Sequence, residues 1–308
     1  MTATRRLILA CACAATVSVT PTSAQQVPVF SSRATAVLVN VLVHERNAPV
    51  TTLASTDFAL TDNGVPQTLE VEPADALPCD LTLVLDMSGS TLTVVQGYKD
   101  DVRSIAKMLR PADRVRLLTF DTQVREVFPF ESAAAGLQLD QLRAGGTSAL
   151  LDGLLFALPR TPNPDRQHLV VMFTDGANNS SLVNAKTVAD AAARSDGLLE
   201  IAVTSKVGAG QSSGIPIIYS VVGEPQPAGG WVPILRSIAA TTGGEVRDAD
   251  KSGSLKKTFE TLFADIRRSY VLRFIPTGVA GPGWHDLVVT VPGHPTYKVQ
   301  ARRGYFGG

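Results

Sequence analysis

Apolar positions along the chain change their period twice. Residues 36–43 form an almost unbroken β-branched and apolar run, interrupted by Asn40. Asn47-Ala48-Pro49 is predicted to turn, residues 57–60 to form a short strand, and Asp62-Asn63-Gly64 to make a tight hairpin turn before a strand over 67–71. Pro73 and Pro78 mark a connector. Residues 30–78 are therefore expected to be β structure.

From Leu81 strands alternate with helices. Residues 81–85 have the composition of a buried strand, and Val95, Tyr98, Val102, Ile105 and Leu109 recur at three- and four-residue steps, a helix that Pro111 ends. Strands over 115–120 and 124–128, joined by Asp121-Thr122, are the one adjacent pair close enough to run antiparallel. A helix near 148–158, a strand over 168–174, a helix over 184–195, and strands over 216–222 and 244–247 follow. Leu255, Phe259, Leu262, Phe263 and Ile266 line one face of a last helix, with Ser254 as its N-cap. Residues 198–204 fit either a strand or a helix tail, and the Gly/Ser-rich stretch 206–214 is loop. Its Gly208 and Gly210 lack the strand–helix context of a nucleotide site. Such alternation predicts an α/β domain over 80–268, with a Rossmann-like, doubly wound, mostly parallel sheet covered on both faces. Strands over 270–275, 286–291 and 297–302 then return. Paired with 30–78, the 269–308 segment would complete a β-sandwich-like domain into which the α/β domain is inserted.

The amino terminus changes the composition. Arg5 and Arg6, an apolar stretch over 7–19 and Thr22-Ser23-Ala24 have the form of a secretory signal peptide, residues 1–24, cleaved after Ala24. The stretch is short for an uncleaved anchor, and the run before Cys11 is short for a lipoprotein box. Cleavage would remove Cys11 and Cys13, leaving Cys79 alone and no intramolecular disulfide. It would also turn 28 basic and 28 acidic residues into 26 and 28. Near-neutral charge excludes a whole-surface electrostatic case for nucleic acid. With 44 % apolar and 18 % charged residues the chain is not disordered. The expected product is exported, periplasmic or secreted, with no transmembrane segment after cleavage.

Candidate chemistry gathers at strand ends. Asp86 closes the 81–85 strand in Asp86-Met87-Ser88-Gly89-Ser90, and Asp175 follows the 168–174 strand in Phe173-Thr174-Asp175-Gly176. Ligands of open α/β sheets bind beyond the carboxyl ends of strands. Two aspartates and two serine hydroxyls there make an all-oxygen set suited to a hard cation such as Mg²⁺. Gly145-Gly146-Thr147-Ser148 lies between them and presents Thr147 at a helix start. Singly, each residue has a plainer explanation: Asp175 as a helix N-cap, Ser88 and Ser90 as turn residues. Asp152 is expected to cap or pack rather than ligate. His44, His168, His285 and His294 are too scattered for a zinc site, and Trp231 and Trp284 are expected to pack.

Together these residues resemble the von Willebrand factor A domain, whose metal-ion-dependent adhesion site has the pattern D-x-S-x-S, then Thr, then Asp. Asp86, Ser88, Ser90, Thr147 and Asp175 match it without substitution, and the resemblance spans roughly 80–268. Through Pro49 to Phe58, Leu109 to Val115, Gly145 to Asp152 and Ala301 to Phe306, the mature chain is also similar to VWFA-related proteins of acidobacteria. The resemblance implies those five residues as ligands of Mg²⁺, with Mn²⁺ or Ca²⁺ as alternatives. Gly89, Gly146, Ser148, Gly176 and Asn178 would form the rim, and a partner protein's Asp or Glu would complete the site. It also implies that ligand binding can shift the last helix, 254–268, which leads directly into the C-terminal strands.

The expected function is metal-dependent protein binding in adhesion or assembly, without catalysis. A structural envelope module whose metal only staples loops would have the same sequence. A phosphohydrolase of the haloacid dehalogenase type also places an Asp after its first strand, but its general acid would stand where Ser88 is. No G-x-S-x-G nucleophile elbow occurs.

Overall fold

The opening apolar run forms β1 (Val37–Glu45), which folds back on the two-residue β2 (Ala48–Pro49). In this computed structural model residues 36–46, 48–132, 137–204, 224–251, 254–279 and 281–307 are described. The expected signal peptide, Cys11, Cys13, the expected 206–214 loop and the expected 216–222 strand lie outside them. β3 (Ala59–Asp62) and β4 (Val65–Pro66) form the expected hairpin, with Asn63 at φ 47° and Gly64 at φ 81°. Both turn residues at positive φ match the right-handed twist of the flanking strands. β5 (Glu70–Pro73) begins three residues later than the sequence pattern suggested.

The α/β region begins with β6 (Cys79–Asp86), every residue of which is buried. It continues through α1 (Val95–Ala106), β7 (Arg114–Phe120), β8 (Val124–Ser132), α2 (Leu150–Ala157), β9 (Gln167–Thr174), α3 (Ala185–Arg194), β10 (Leu198–Val203), α4 (Val232–Thr241), β11 (Val246–Asp248) and α5 (Leu255–Arg267). The sheet order is β11-β10-β9-β6-β7-β8, parallel except for β8. Side chains alternate between its faces. Leu81, Leu83 and Leu85 meet α1 and α5, while Val84, Val170 and Met172 meet α2, α3 and α4. Covering both faces explains why β6 and β9 are buried at every residue and carry unbroken rather than alternating apolar stretches.

The ambiguous 198–204 segment is a strand, because α3 stops at Arg194 and β10 pairs with β9 and β11. α4 was not legible in the sequence. Pro233 looks like a breaker, yet it occupies the first turn, where a missing N–H breaks no helical hydrogen bond. Trp231, at 2 % exposure, packs at its start.

β12 (Tyr270–Phe274) joins β1 and β5 in one antiparallel sheet with β14 (Lys298–Ala301). β13 (Gly283–Thr290) joins β3 in a second sheet and is flanked by β15 (Gly304–Gly307), a glycine-rich strand that the pattern did not predict. One hydrophobic cluster draws on both sheets: Val39, Val41, Leu60, Leu272, Phe274, Leu287 and Tyr305. Asp62, His285 and Tyr305 are buried together, with His285 Nδ1 2.8 Å from Asp62 and the Tyr305 hydroxyl donating to it at 2.7 Å. His294 instead stacks on Tyr297.

Candidate metal centre

β6 leads through α1 to β7 on one side, whereas β9 lies on its other side, so strand order reverses between β6 and β9. The crevice beyond their carboxyl ends is where an α/β sheet leaves room for a ligand. Asp86 is the last residue of β6 and Asp175 follows the last residue of β9.

Asp86 is fully buried. The backbone N–H and the hydroxyl of Ser88 both donate to its Oδ1, at 3.0 and 2.6 Å. Thr174 Oγ1 donates to Oδ2 at 2.8 Å. Ser90 Oγ donates to Asp175 Oδ2 at 2.6 Å, and Ala177 N–H to Asp175 Oδ1 at 2.9 Å. The Oγ atoms of Ser88 and Ser90 lie 3.2 Å apart. Each hydroxyl has one hydrogen. With both carboxylates ionised, both hydrogens are drawn to them, and the two Oγ atoms face one another through lone pairs. Burial, and after it the charge of Asp175, push the Asp86 carboxyl up to about 6, against the hydrogen bonds from Ser88 and Thr174. Among the described residues no Lys, Arg or His forms an ion pair with either aspartate. The result is a cluster of oxygens with excess negative charge, which is the donor chemistry a hard divalent cation requires. Among the described residues no group of three or more His, Cys, Asp or Glu is placed to hold a metal; here two carboxylates are joined by the hydroxyls of Ser88 and Ser90.

The sequence-expected residues are not all equally close. Gly89 N–H donates to the Gly146 carbonyl at 3.0 Å, tying the two loops together. A Cβ on Gly146, at φ 71°, would stand 2.4 Å from Thr122 Oγ1, so both conformation and space demand glycine there. The Thr147 hydroxyl, however, pairs with Thr122 Oγ1 at 3.2 Å and makes no hydrogen bond to the aspartate–serine cluster. Ser148 Oγ donates to the Ala177 carbonyl, and Asn178 accepts from Ser181, so both brace the loop that carries Asp175 and Gly176. Asp152 caps that loop by accepting from the N–H groups of Leu182 and Val183.

Two neighbours escaped the sequence pattern. The sequence pattern marks Thr174 only as the end of a strand, whereas its hydroxyl donates to Asp86. The helical spacing puts Tyr98 on the apolar face of α1, yet its buried hydroxyl has no hydrogen-bond partner among the described residues. Burial, and after it the charges of Asp86 and Asp175, raise its pKa.

Residues 81–178 match the family model of the von Willebrand factor type A domain. The matched span runs from β6 past Asp175 and so includes both aspartates. No curated protein matches the chain. Among solved structures, the chain is similar to a von Willebrand factor type A protein from Catenulispora acidiphila, at 13 % identity, covering 89 % of this chain and 75 % of that one with a TM-score of 0.46. It is also similar to the conserved hypothetical protein BatB from Bacteroides thetaiotaomicron, at 15 % identity over 61 % of this chain and 98 % of that one, TM-score 0.42. A third is the PilB minor pilin from Streptococcus sanguinis, at 13 % identity over 62 % of each chain, TM-score 0.43.

Proposed function

We propose that this chain is an exported, metal-dependent protein-binding module that acts in adhesion or assembly and carries out no catalysis. The observation behind this reading is the uncompensated oxygen cluster at the von Willebrand-type switch point. Asp86, Ser88, Ser90 and Asp175 would hold Mg²⁺, or in its place Mn²⁺ or Ca²⁺. Thr147 would join them once its hydroxyl leaves Thr122. A bound divalent cation supplies net positive charge that attracts a carboxylate, so the partner presents an Asp or Glu.

The chain's own residues do the rest. Ser88 and Thr174 hold Asp86 in one orientation, Ser90 and Ala177 fix Asp175, and the bond from Gly89 to Gly146 keeps the loops in register. Leu92, 62 % exposed, and Leu182, 77 % exposed, stand on the loops that carry and brace the site and offer apolar contact to a protein surface. The two antiparallel sheets, read as the layers of a β-sandwich-like domain, would carry this module. Export rests on the amino-terminal signal pattern; among the described residues no helix is long and apolar enough to cross a membrane.

A pulldown from envelope extract tests the reading, comparing Mg²⁺ with EDTA and wild type with Asp86→Ala. Partners captured only by wild type in Mg²⁺ are expected. The same partners in all four conditions would overturn metal-dependent binding. A thermal shift on Mg²⁺ addition without captured partners would favour a metal that only staples loops.

A further inference from the structure

The opposite end of the parallel sheet, where β9 and β10 begin, carries a second charged cleft. It holds about 140 Å³ between the start of β1, the 162–164 loop, the end of α3 and the turn from β14 to β15. Val37, Pro164 and Phe306 form apolar walls, while Arg302, Arg194 and Asp196 supply charge.

Arg302 is 6 % exposed. Its Nε donates to the Gly304 carbonyl at 2.7 Å and its Nη2 to the Ala193 carbonyl at 3.2 Å. Among the described residues it forms no ion pair, and Nη1 makes no hydrogen bond. Asp196, on the same wall, is already engaged, because Arg160 donates to it from both Nε and Nη2, at 3.0 and 2.6 Å. Arg194 adds a second cation, its Cζ lying 3.8 Å from the Phe306 ring centroid. Carbonyl dipoles offset a buried guanidinium only in part, and a charge removed from water calls for a counter-charge. Burial draws the Arg302 pKa down to about 10, and the charge of Asp196, which Arg160 already grips, offsets that only in part.

We propose that this cleft binds a carboxylate borne on an apolar body, with Arg302 as its ion partner. A guanidinium favours carboxylate geometry, and the walls favour a carbon chain over water. The neighbouring Asp196 carboxylate disfavours a dianion such as phosphate. The source is either a small aliphatic acid or the C-terminal residue of a peptide.

Isothermal titration of the full chain separates these. The probes are butyrate, a tetrapeptide ending in a free valine carboxylate, its amidated counterpart and inorganic phosphate. Binding of butyrate and the acid peptide is expected, with the amide at least tenfold weaker. An acid peptide tighter than butyrate assigns a peptide end; otherwise the ligand is a small acid. Arg302→Met should weaken carboxylate binding at least tenfold. Because that variant removes a buried bracket, the exposed Pro164→Glu serves beside it. It places a negative charge at the rim and should weaken binding similarly while circular dichroism stays unchanged. Failure of both carboxylates to bind, preference for phosphate, or binding unaltered by Pro164→Glu would overturn the proposal.

Discussion

β6 carries a buried aspartate near each end, and the two are treated in opposite ways. Asp80, near its start, is 1 % exposed, and three arginines surround it. Arg114 grips both carboxylate oxygens at 2.8 and 2.6 Å, Arg166 donates at 2.6 Å and Arg160 at 2.9 Å. Burial alone would raise the Asp80 carboxyl, but hydrogen bonds from Arg114 and Arg166 outweigh it and hold it below its ordinary range. Asp86, six residues on and equally buried, has hydroxyls and a second carboxylate for neighbours, and is pushed up to about 6. Equal burial on one strand thus yields a neutralised, structural charge at one end and an unneutralised one at the other. An uncompensated buried charge marks a place where the fold leaves room for something it does not itself contain.

The largest break in this comparison is expected from Asp80→Ala. It takes the shared carboxylate from three guanidinium groups, of which Arg160, with only 5 % of its side chain exposed, keeps Asp196, and should cost about 3–5 kcal/mol in urea unfolding. A loss below about 1 kcal/mol would show that the arginines do not depend on Asp80.

Glu200 tests the intermediate case, a buried carboxylate with a single arginine, Arg247, at 3.4 Å. Burial pushes it up to about 8; Arg247 opposes the shift and Glu245 adds to it. Between the ordinary glutamate range and about 8 the folded state keeps a proton that the unfolded state has lost. Stability should therefore fall as pH rises through that window, at up to about 1.4 kcal/mol per pH unit. Glu200→Gln should flatten the profile and be the more stable protein at the alkaline end. A profile that wild type and variant share would remove Glu200 as its cause.

Next in size, Mg²⁺ at a hundredfold excess over its dissociation constant should stabilise wild type by about 2.7 kcal/mol and leave Asp86→Asn unmoved. Without metal, Asp86→Asn removes a repulsion from Asp175 and should be neutral or stabilising by about 1–3 kcal/mol near neutral pH. Clear destabilisation there would place Asp86 in the same class as Asp80. The smallest effect is expected from Arg125→Ala. Its pair with Asp121 is short, at 2.6 Å, but the arginine side chain is 52 % exposed, and the loss should stay below about 1 kcal/mol.

Much of the α/β region was legible because its signals are local. The apolar spacing from Val95 to Leu109 and the Ser254 cap each specify their element without distant contacts, and Ser254 does accept from Lys257 N–H at 3.1 Å. β15 and β10 were harder. Gly304–Gly307 has little strand propensity, and becomes a strand because β13 offers it a partner. Residues 198–203 are apolar enough for either helix or strand, and pairing with β9 decides between them. α4 was hidden by Pro233, whose meaning depends on where in the helix it falls.

For the candidate site, residue types and order were visible in the chain, and so was the strand-end position of both aspartates. Their meeting was not: Ser90 and Asp175 lie 85 residues apart and touch only because β6 and β9 are sheet neighbours. The D-x-S-x-S context marks Asp86 in the sequence, but nothing local marks the compensation of Asp80, whose arginines come from positions 114, 160 and 166. By itself the sequence determined the period of most elements of the α/β region, the Asn63-Gly64 turn and the set of oxygen donors, all governed by backbone sterics and side-chain chemistry over a few residues. Tertiary structure alone decided which buried carboxylate received arginines and which received hydroxyls, because charge compensation acts through space, between residues that only the sheet order brings within reach.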